Sequence, residues 1–154
     1  MPLKAASKSP NLIIGIATGP SYTFDKLAPF CKSARMSGFQ GTIVIGISKL
    51  RRSQEKKRMQ LFDKFNISGV YLNGFKGDEW GQSICRYYAY FSLITYFADD
   101  IDSVLVSDVR DVFFQADPFT SHPLGSAAFI NSTTQLLLFR EGMNDISNKR
   151  ATIS

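Results

Sequence analysis

The chain has 154 residues, 44% of them apolar and 20% charged, with a net charge of +5. That balance fits one globular domain and excludes a disordered chain or a collagen or coiled-coil fibre; no apolar run reaches the roughly 18 residues of a membrane-spanning helix. Two cysteines and one histidine, His122, exclude a zinc ribbon, a disulfide scaffold and a histidine-rich metal site, so any metal would be a hard ion held by carboxylates.

Residues 1–10 hold lysines but no apolar stretch long enough for a signal peptide, so they are expected to be a flexible start of a chain that is cytoplasmic by default. Residues 12–17 (LIIGIA) form a short continuous apolar run, which predicts a strand buried on both faces. Thr18-Gly19-Pro20 follows as a turn. Leu27, Phe30, Cys31 and Ala34 recur at helical spacing within residues 24–36, and Gly38 is a stop signal. Residues 42–47 (TIVIGI) predict a second buried strand. Ser53 can cap a helix reaching about Phe65, with Met59, Phe62 and Phe65 on one face. A third strand lies in ISGVYLN, around Val70 and Leu72. Ser83 can cap a third helix reaching about Ala98, with Ile84, Tyr87, Tyr88, Phe91 and Ile94 expected to face inward. Residues 103–107 (SVLVS) predict a fourth strand, and residues 135–139 (QLLLF) another. The polar segment after Gly142 reads as a frayed tail. The domain is thus expected over residues 11–141.

Apolar strands alternating with amphipathic helices predict an α/β fold, with a mostly parallel sheet and helices on both faces. Such sheets bind ligands beyond the carboxyl ends of their strands, where the strand order reverses. The positions to inspect are therefore Thr18-Gly19, Ser48, Asn73-Gly74 and Ser107-Asp108.

The strand ends exclude several chemistries. The first turn lacks the GxGxxG of dinucleotide-binding proteins, and no P-loop or G-x-S-x-G nucleophile elbow occurs. Residues 17–22 carry no basic side chain, which a nucleotidyltransferase loop would need. An aspartyl phosphatase would place its Asp pair after the first strand, whereas the clustered aspartates here follow the fourth. Charge is also uneven. Residues 1–77 hold 13 Lys and Arg against 3 Asp and Glu, and residues 78–154 hold 5 against 10. The basic run KLRRSQEKKR at 49–58 reads as a solvated helix face. It lacks the interleaved aromatics of nucleic-acid binders, which leaves an anionic surface or a partner protein as its functional alternatives.

The chemistry concentrates in SDVRDVFFQADPF, residues 107–119. Asp108 and Asp111 leave the end of a buried strand, with Arg110 between them. Two carboxylates placed so can hold a divalent ion that bridges a diphosphate and neutralises charge on the leaving phosphate. Arg110 can contact phosphate or pair with either Asp. The plain alternative is that Asp108 caps a turn and Arg110 forms a surface ion pair.

The segment VLVSDVRDVFFQADPF resembles the metal-binding segment of nucleotide-sugar glycosyltransferases of the GT-A fold, in the subset reading D-V-R-D-V-x-F-Q-x-D-P-F. Ala17-Thr18-Gly19 is similar to that fold's nucleotide-binding turn, and Arg86-Tyr87-Tyr88 to the start of its third helix. The resemblance spans about residues 11–141 and is specific only over 107–119. It implies a Rossmann-like sheet and a nucleoside-diphosphate sugar donor, UDP- or GDP-linked, used with Mn²⁺ or Mg²⁺. It implies a sugar transferred to a glycan, lipid or protein acceptor. Among site residues it implies Ala17, Thr18, Gly19 and Tyr22 around the base and ribose. It places Arg86 near the diphosphate beside Ser107 and Arg110, Asp108 on the ribose or metal, and Asp111 on the metal. The common pattern in the fold is D-x-D, whereas residue 110 here is Arg, which can replace part of a metal's charge, and the second carboxylate comes one residue later. The family's acceptor half would follow the fifth strand, so the chain is expected to be a donor-binding half whose uncovered apolar surface favours self-association.

Each role has a structural alternative. Thr18 and Gly19 can serve only as a turn, Tyr22 can pack the first helix, and Arg86 can pair with Asp78 or Glu79. Trp80 can stack on a ligand or pack, and His122 is read as a loop residue. The whole chain can also be a catalytically inactive α/β module that binds a nucleotide or a partner.

Overall fold

A computed structural model describes residues 10–72, 79–97, 101–120 and 137–139, without the side chains of 79–84 and 137–139. The termini, Asn73-Gly74, Asp78 and His122 lie outside the described residues, as do the side chains of Glu79, Trp80 and Ile84.

The chain is an α/β fold of the Rossmann-like kind. In order it runs β1 (Asn11–Ala17), α1 (Phe24–Met36), β2 (Thr42–Ile47), α2 (Arg52–Lys64), β3 (Ser68–Tyr71), α3 (Glu79–Phe97), β4 (Ser103–Ser107) and β5 (Leu137–Phe139). The strand order is β3-β2-β1-β4-β5. The first four strands pair in parallel, and β5 adds antiparallel at one edge.

Period-two alternation explains the two-sided burial. Ile13, Ala17, Ile43, Ile45, Ile47 and Leu105 share one core with Leu27, Phe30, Leu61 and Phe62 of α1 and α2. Leu12, Ile14, Val44, Val104 and Val106 face the other way, onto Leu93 and Phe97 of α3. Continuous apolar runs are what a sheet covered on both faces requires.

Two helix features differ from expectation. Arg51, not Ser53, precedes α2, and no side chain caps it. The Glu55 carboxylate reaches back instead, and accepts the Leu50 N–H at 2.9 Å. Helix α3 starts at Glu79, so Ser83 lies inside it. Its phase also differs. Ala89, Leu93 and Phe97 are buried, whereas Tyr87, Tyr88, Phe91 and Tyr96 are exposed, Tyr88 by 70%. Ile94 packs against the core as expected, together with Tyr90. Aromatics surround most of this helix, so its periodicity admits two inward faces. The narrower Ala89–Leu93 face is the one that meets the sheet.

The basic run is a solvated face, with one exception. Lys49, Arg51, Arg52, Lys56 and Lys57 are exposed, but Arg58 is completely buried. Arg35, at the end of α1, ties four carbonyls together, those of Phe39, Gly41, Phe65 and Asn66, at 2.7–3.0 Å. Both cysteines are free thiols. Burial pushes the Cys31 thiol up to about 12, against weaker opposing effects of a backbone hydrogen bond and Arg35. No helix among the described residues is long and apolar enough to cross a membrane.

Candidate functional site

The strand order reverses between β1 and β4. The connections from β1 through β3 pass over the α1–α2 face, and the one into β4 passes over the α3 face. A sheet of this kind is expected to take a ligand in a crevice outside the carboxyl ends of β1 and β4. Thr18-Gly19 forms one side of it and Asp108 the other.

On the β1 side, Ala17 belongs to the core, so only its backbone can meet a ligand. Thr18 is 6% exposed, and its Oγ1 has no hydrogen-bond partner among the described residues. Gly19 adopts φ +110°, a left-handed conformation that side chains disfavour. Its N–H donates to Ser48 Oγ at 2.8 Å, which ties the turn to the end of β2. Tyr22 is buried, and its hydroxyl accepts from Arg86 Nη2 at 3.2 Å. Arg86 Nε is buried without a partner among the described residues. Tyr90 lies one turn further along α3. Burial pushes its hydroxyl up to about 12, against the nearby Arg86 charge and with Asp108, Tyr22 and Tyr87 adding to the rise. Those electrostatic links bring Tyr22, Arg86, Tyr90 and Asp108 into one neighbourhood.

On the β4 side, Ser107 is buried and turns its hydroxyl onto the Asp108 carbonyl at 2.9 Å. Asp108 is half-buried, and its Oδ1 accepts the Arg110 N–H at 2.8 Å. Arg110 and Asp111 are exposed and form an ion pair at 3.4 Å. That pair, with Tyr22 and Asp108 adding weaker effects, raises the Arg110 guanidinium above its ordinary range. Arg110 thus pairs with Asp111 rather than Asp108. Asp117 stands apart as a turn former, and its Oδ1 accepts the Phe119 N–H at 2.9 Å. The rest of the motif is an anchor. Phe114 meets Phe30 edge-on at 5.4 Å, and Phe119 stacks on Phe39 at 5.3 Å.

A polar chain supports the β1 turn from behind. Arg58 Nη2 donates to the Ser48 carbonyl at 2.7 Å and to both Glu55 oxygens. Tyr71 donates its hydroxyl to Glu55 at 2.6 Å. Burial pulls the Glu55 carboxyl up, but hydrogen bonds from Arg58, Tyr71 and Leu50 outweigh it and hold the carboxyl below its ordinary 4.5. A depressed carboxylate stabilises the fold above its unfolded value, and that stability is lost as pH falls through the folded value. Wild type is therefore expected to melt above Glu55→Gln at neutral pH, with the gap closing below about pH 4. Melting temperatures measured from about pH 7 to pH 3 check this; a gap that does not change with pH would contradict it.

Sequence reasoning, with the family resemblance, named Thr18, Gly19, Tyr22, Arg86 and Asp108; Tyr22 and Arg86 are hydrogen-bonded to each other, and the other three follow the paired strands β1 and β4. It missed Tyr90 and the Glu55–Arg58–Tyr71 group. The only available signal for the latter was an acidic residue inside a basic run. No group of three potential metal ligands occurs among the described residues. The chain matches no protein-family model, and no curated protein matches it significantly.

Proposed function

We propose that the crevice binds a nucleoside-diphosphate sugar and that the chain is a glycosyltransferase, or the donor-binding part of one. The observation that carries this reading is that two of the four buried side-chain polar atoms without a partner among the described residues, Thr18 Oγ1 and Arg86 Nε, belong to this site, the other two being Nε and Nη1 of Arg58. Leaving such a group unsatisfied costs about 1–3 kcal/mol, and a native structure normally has a reason for it. Here one atom is a hydroxyl and the other belongs to a fixed cation. That combination suits a ligand offering both ribose hydroxyls and phosphate oxygens.

In this reading Thr18, the Gly19 backbone and Tyr22 hold the base and ribose. Arg86 is oriented by Tyr22 and faces the diphosphate. Arg110 adds a second cation at the open side, and Ser107 shapes the backbone that presents Asp108. In the same reading a divalent ion, Mn²⁺ or Mg²⁺, would be held by the carboxylates Asp108 and Asp111, each of which has one oxygen engaged by Arg110. Two carboxylates plus substrate phosphates is the usual donor set for Mg²⁺ in phosphate sites, so a third protein ligand is not required. When bound, such an ion would neutralise the charge growing on the leaving diphosphate. The acceptor is a glycan, lipid or protein.

One observation favours a second reading, an inactive α/β nucleotide- or partner-binding module. Asp108 caps Arg110, and Arg110 pairs with Asp111, as a purely structural turn would. Asp111→Ala separates the two. Its side chain is 64% exposed, so stability should change by no more than about 0.5 kcal/mol. The glycosyltransferase reading expects metal-dependent UDP or GDP binding to be lost in this variant. Nucleotide binding that is indifferent to both metal and Asp111 would favour the inactive module.

A further inference from the structure

The polar chain behind the β1 turn, which runs from the buried Arg58 through Glu55 to the exposed Tyr71, calls for a role. Arg58 is among the largest fully buried side chains, yet it carries a charge. Burying an ion pair is a weak source of stability, because desolvation costs several kcal/mol per ion. An apolar side chain at this position would extend the Leu61–Phe62 face of α2. What the guanidinium adds is direction. Nη2 reaches Glu55 and the Ser48 carbonyl, and the Ser48 hydroxyl in turn accepts the Gly19 N–H. Glu55 is itself held by the Leu50 N–H and the Tyr71 hydroxyl. Ser48 is thus gripped through its backbone and grips the turn through its side chain. A Cβ placed on Gly19 would meet nothing within 4 Å, so no side chain packs against that face of the left-handed turn. The Gly19 N–H bond to Ser48 Oγ restrains it, together with the weaker bond from the Tyr22 N–H to the Gly19 carbonyl at 3.4 Å.

We infer that Ser48 is a positioning residue, braced by the Glu55–Arg58 pair, that holds the Gly19 turn in the form that presents Thr18 and Gly19 to a nucleotide. The nucleotide part rests on the function proposed above. The brace itself does not.

Ser48→Ala removes one hydroxyl at a half-buried site and leaves the ion pair in place. Amide hydrogen exchange followed by NMR should show the Gly19 N–H exchanging at least about 10-fold faster in Ser48→Ala, while the β1 amides from Leu12 to Ile16 stay protected. Glu55→Gln weakens the brace without emptying its space and should move the same amide in the same direction, by less. Titration with UDP and GDP should show affinity about 3- to 10-fold lower in Ser48→Ala, the worth of one hydrogen bond. Unchanged Gly19 exchange would overturn the inference. So would faster exchange with undiminished nucleotide affinity, since the turn would then be braced for no ligand. If wild type binds neither nucleotide, the nucleotide part falls with the proposed function, and the Gly19 amide still decides for or against the brace.

Discussion

Phe30→Ala is expected to cost about 3–5 kcal/mol, the usual price of deleting a fully buried phenyl ring. Phe30 is completely buried at the centre of the α1–α2 core. Its ring supports Phe114 edge-on, and the neighbouring Ser33 Oγ accepts the Phe114 N–H at 3.1 Å. The substitution therefore acts on two levels. It opens a cavity in the core, and it loosens the anchor that carries the 107–119 segment back over α1. The melting temperature should fall by roughly 6–20 °C, at about 2–4 °C per kcal/mol for a chain of this size. Phe30→Leu, which keeps most of the volume, should lose much less. A loss below about 1 kcal/mol for the alanine variant, read from denaturant unfolding, would contradict this packing.

Gly15→Ala is the second large effect. A Cβ on Gly15 would stand 2.1 Å from Val109 Cγ1, far inside any real contact. Val109 is completely buried and sits between Asp108 and Arg110. The bare backbone of β1 is what lets the aspartate-bearing segment close onto the sheet. Overpacking of this kind usually costs about 1–3 kcal/mol. Here it should also displace Asp108, because Val109 must move to make room. Trimming the opposing side chain tests the contact. Gly15→Ala combined with Val109→Ala should be less destabilised than the two losses added together, by at least about 0.5 kcal/mol. Strictly additive losses would mean that the two positions do not meet.

The frame of the fold was legible because its signals are local. Continuous apolar runs mark β1, β2 and β4, and the bounds expected for α1, β2 and β4 coincide with those observed. Gly38, at φ +93°, ends the first helix region as expected. The strand-end rule points to Thr18, Gly19, Ser48 and Asp108 from the sequence alone. What was not legible depends on competition between faces. Helix α3 carries Tyr or Phe at residues 87, 88, 90, 91, 96 and 97, so hydropathy alone does not choose which stripe turns inward. The sheet makes that choice, by accepting Ala89 and Leu93. Arg58 reads as one more cation in a basic run, and only its neighbours Glu55 and Ser48 reveal that it turns inward. Phe114, Asp117 and Phe119 read as part of a metal motif. Their observed work is to turn and anchor the segment, which leaves Asp108, Arg110 and Asp111 as its chemically available part.

The central claim is that the crevice between β1 and β4 takes a nucleoside diphosphate. Calorimetric titration of the purified chain with UDP and then GDP, each with and without Mn²⁺, tests it most directly. The account predicts saturable binding of one of the two, strengthened by the metal and abolished by Asp108→Ala, with the variant still folded. A well-folded wild-type protein that binds neither nucleotide under either condition would contradict it.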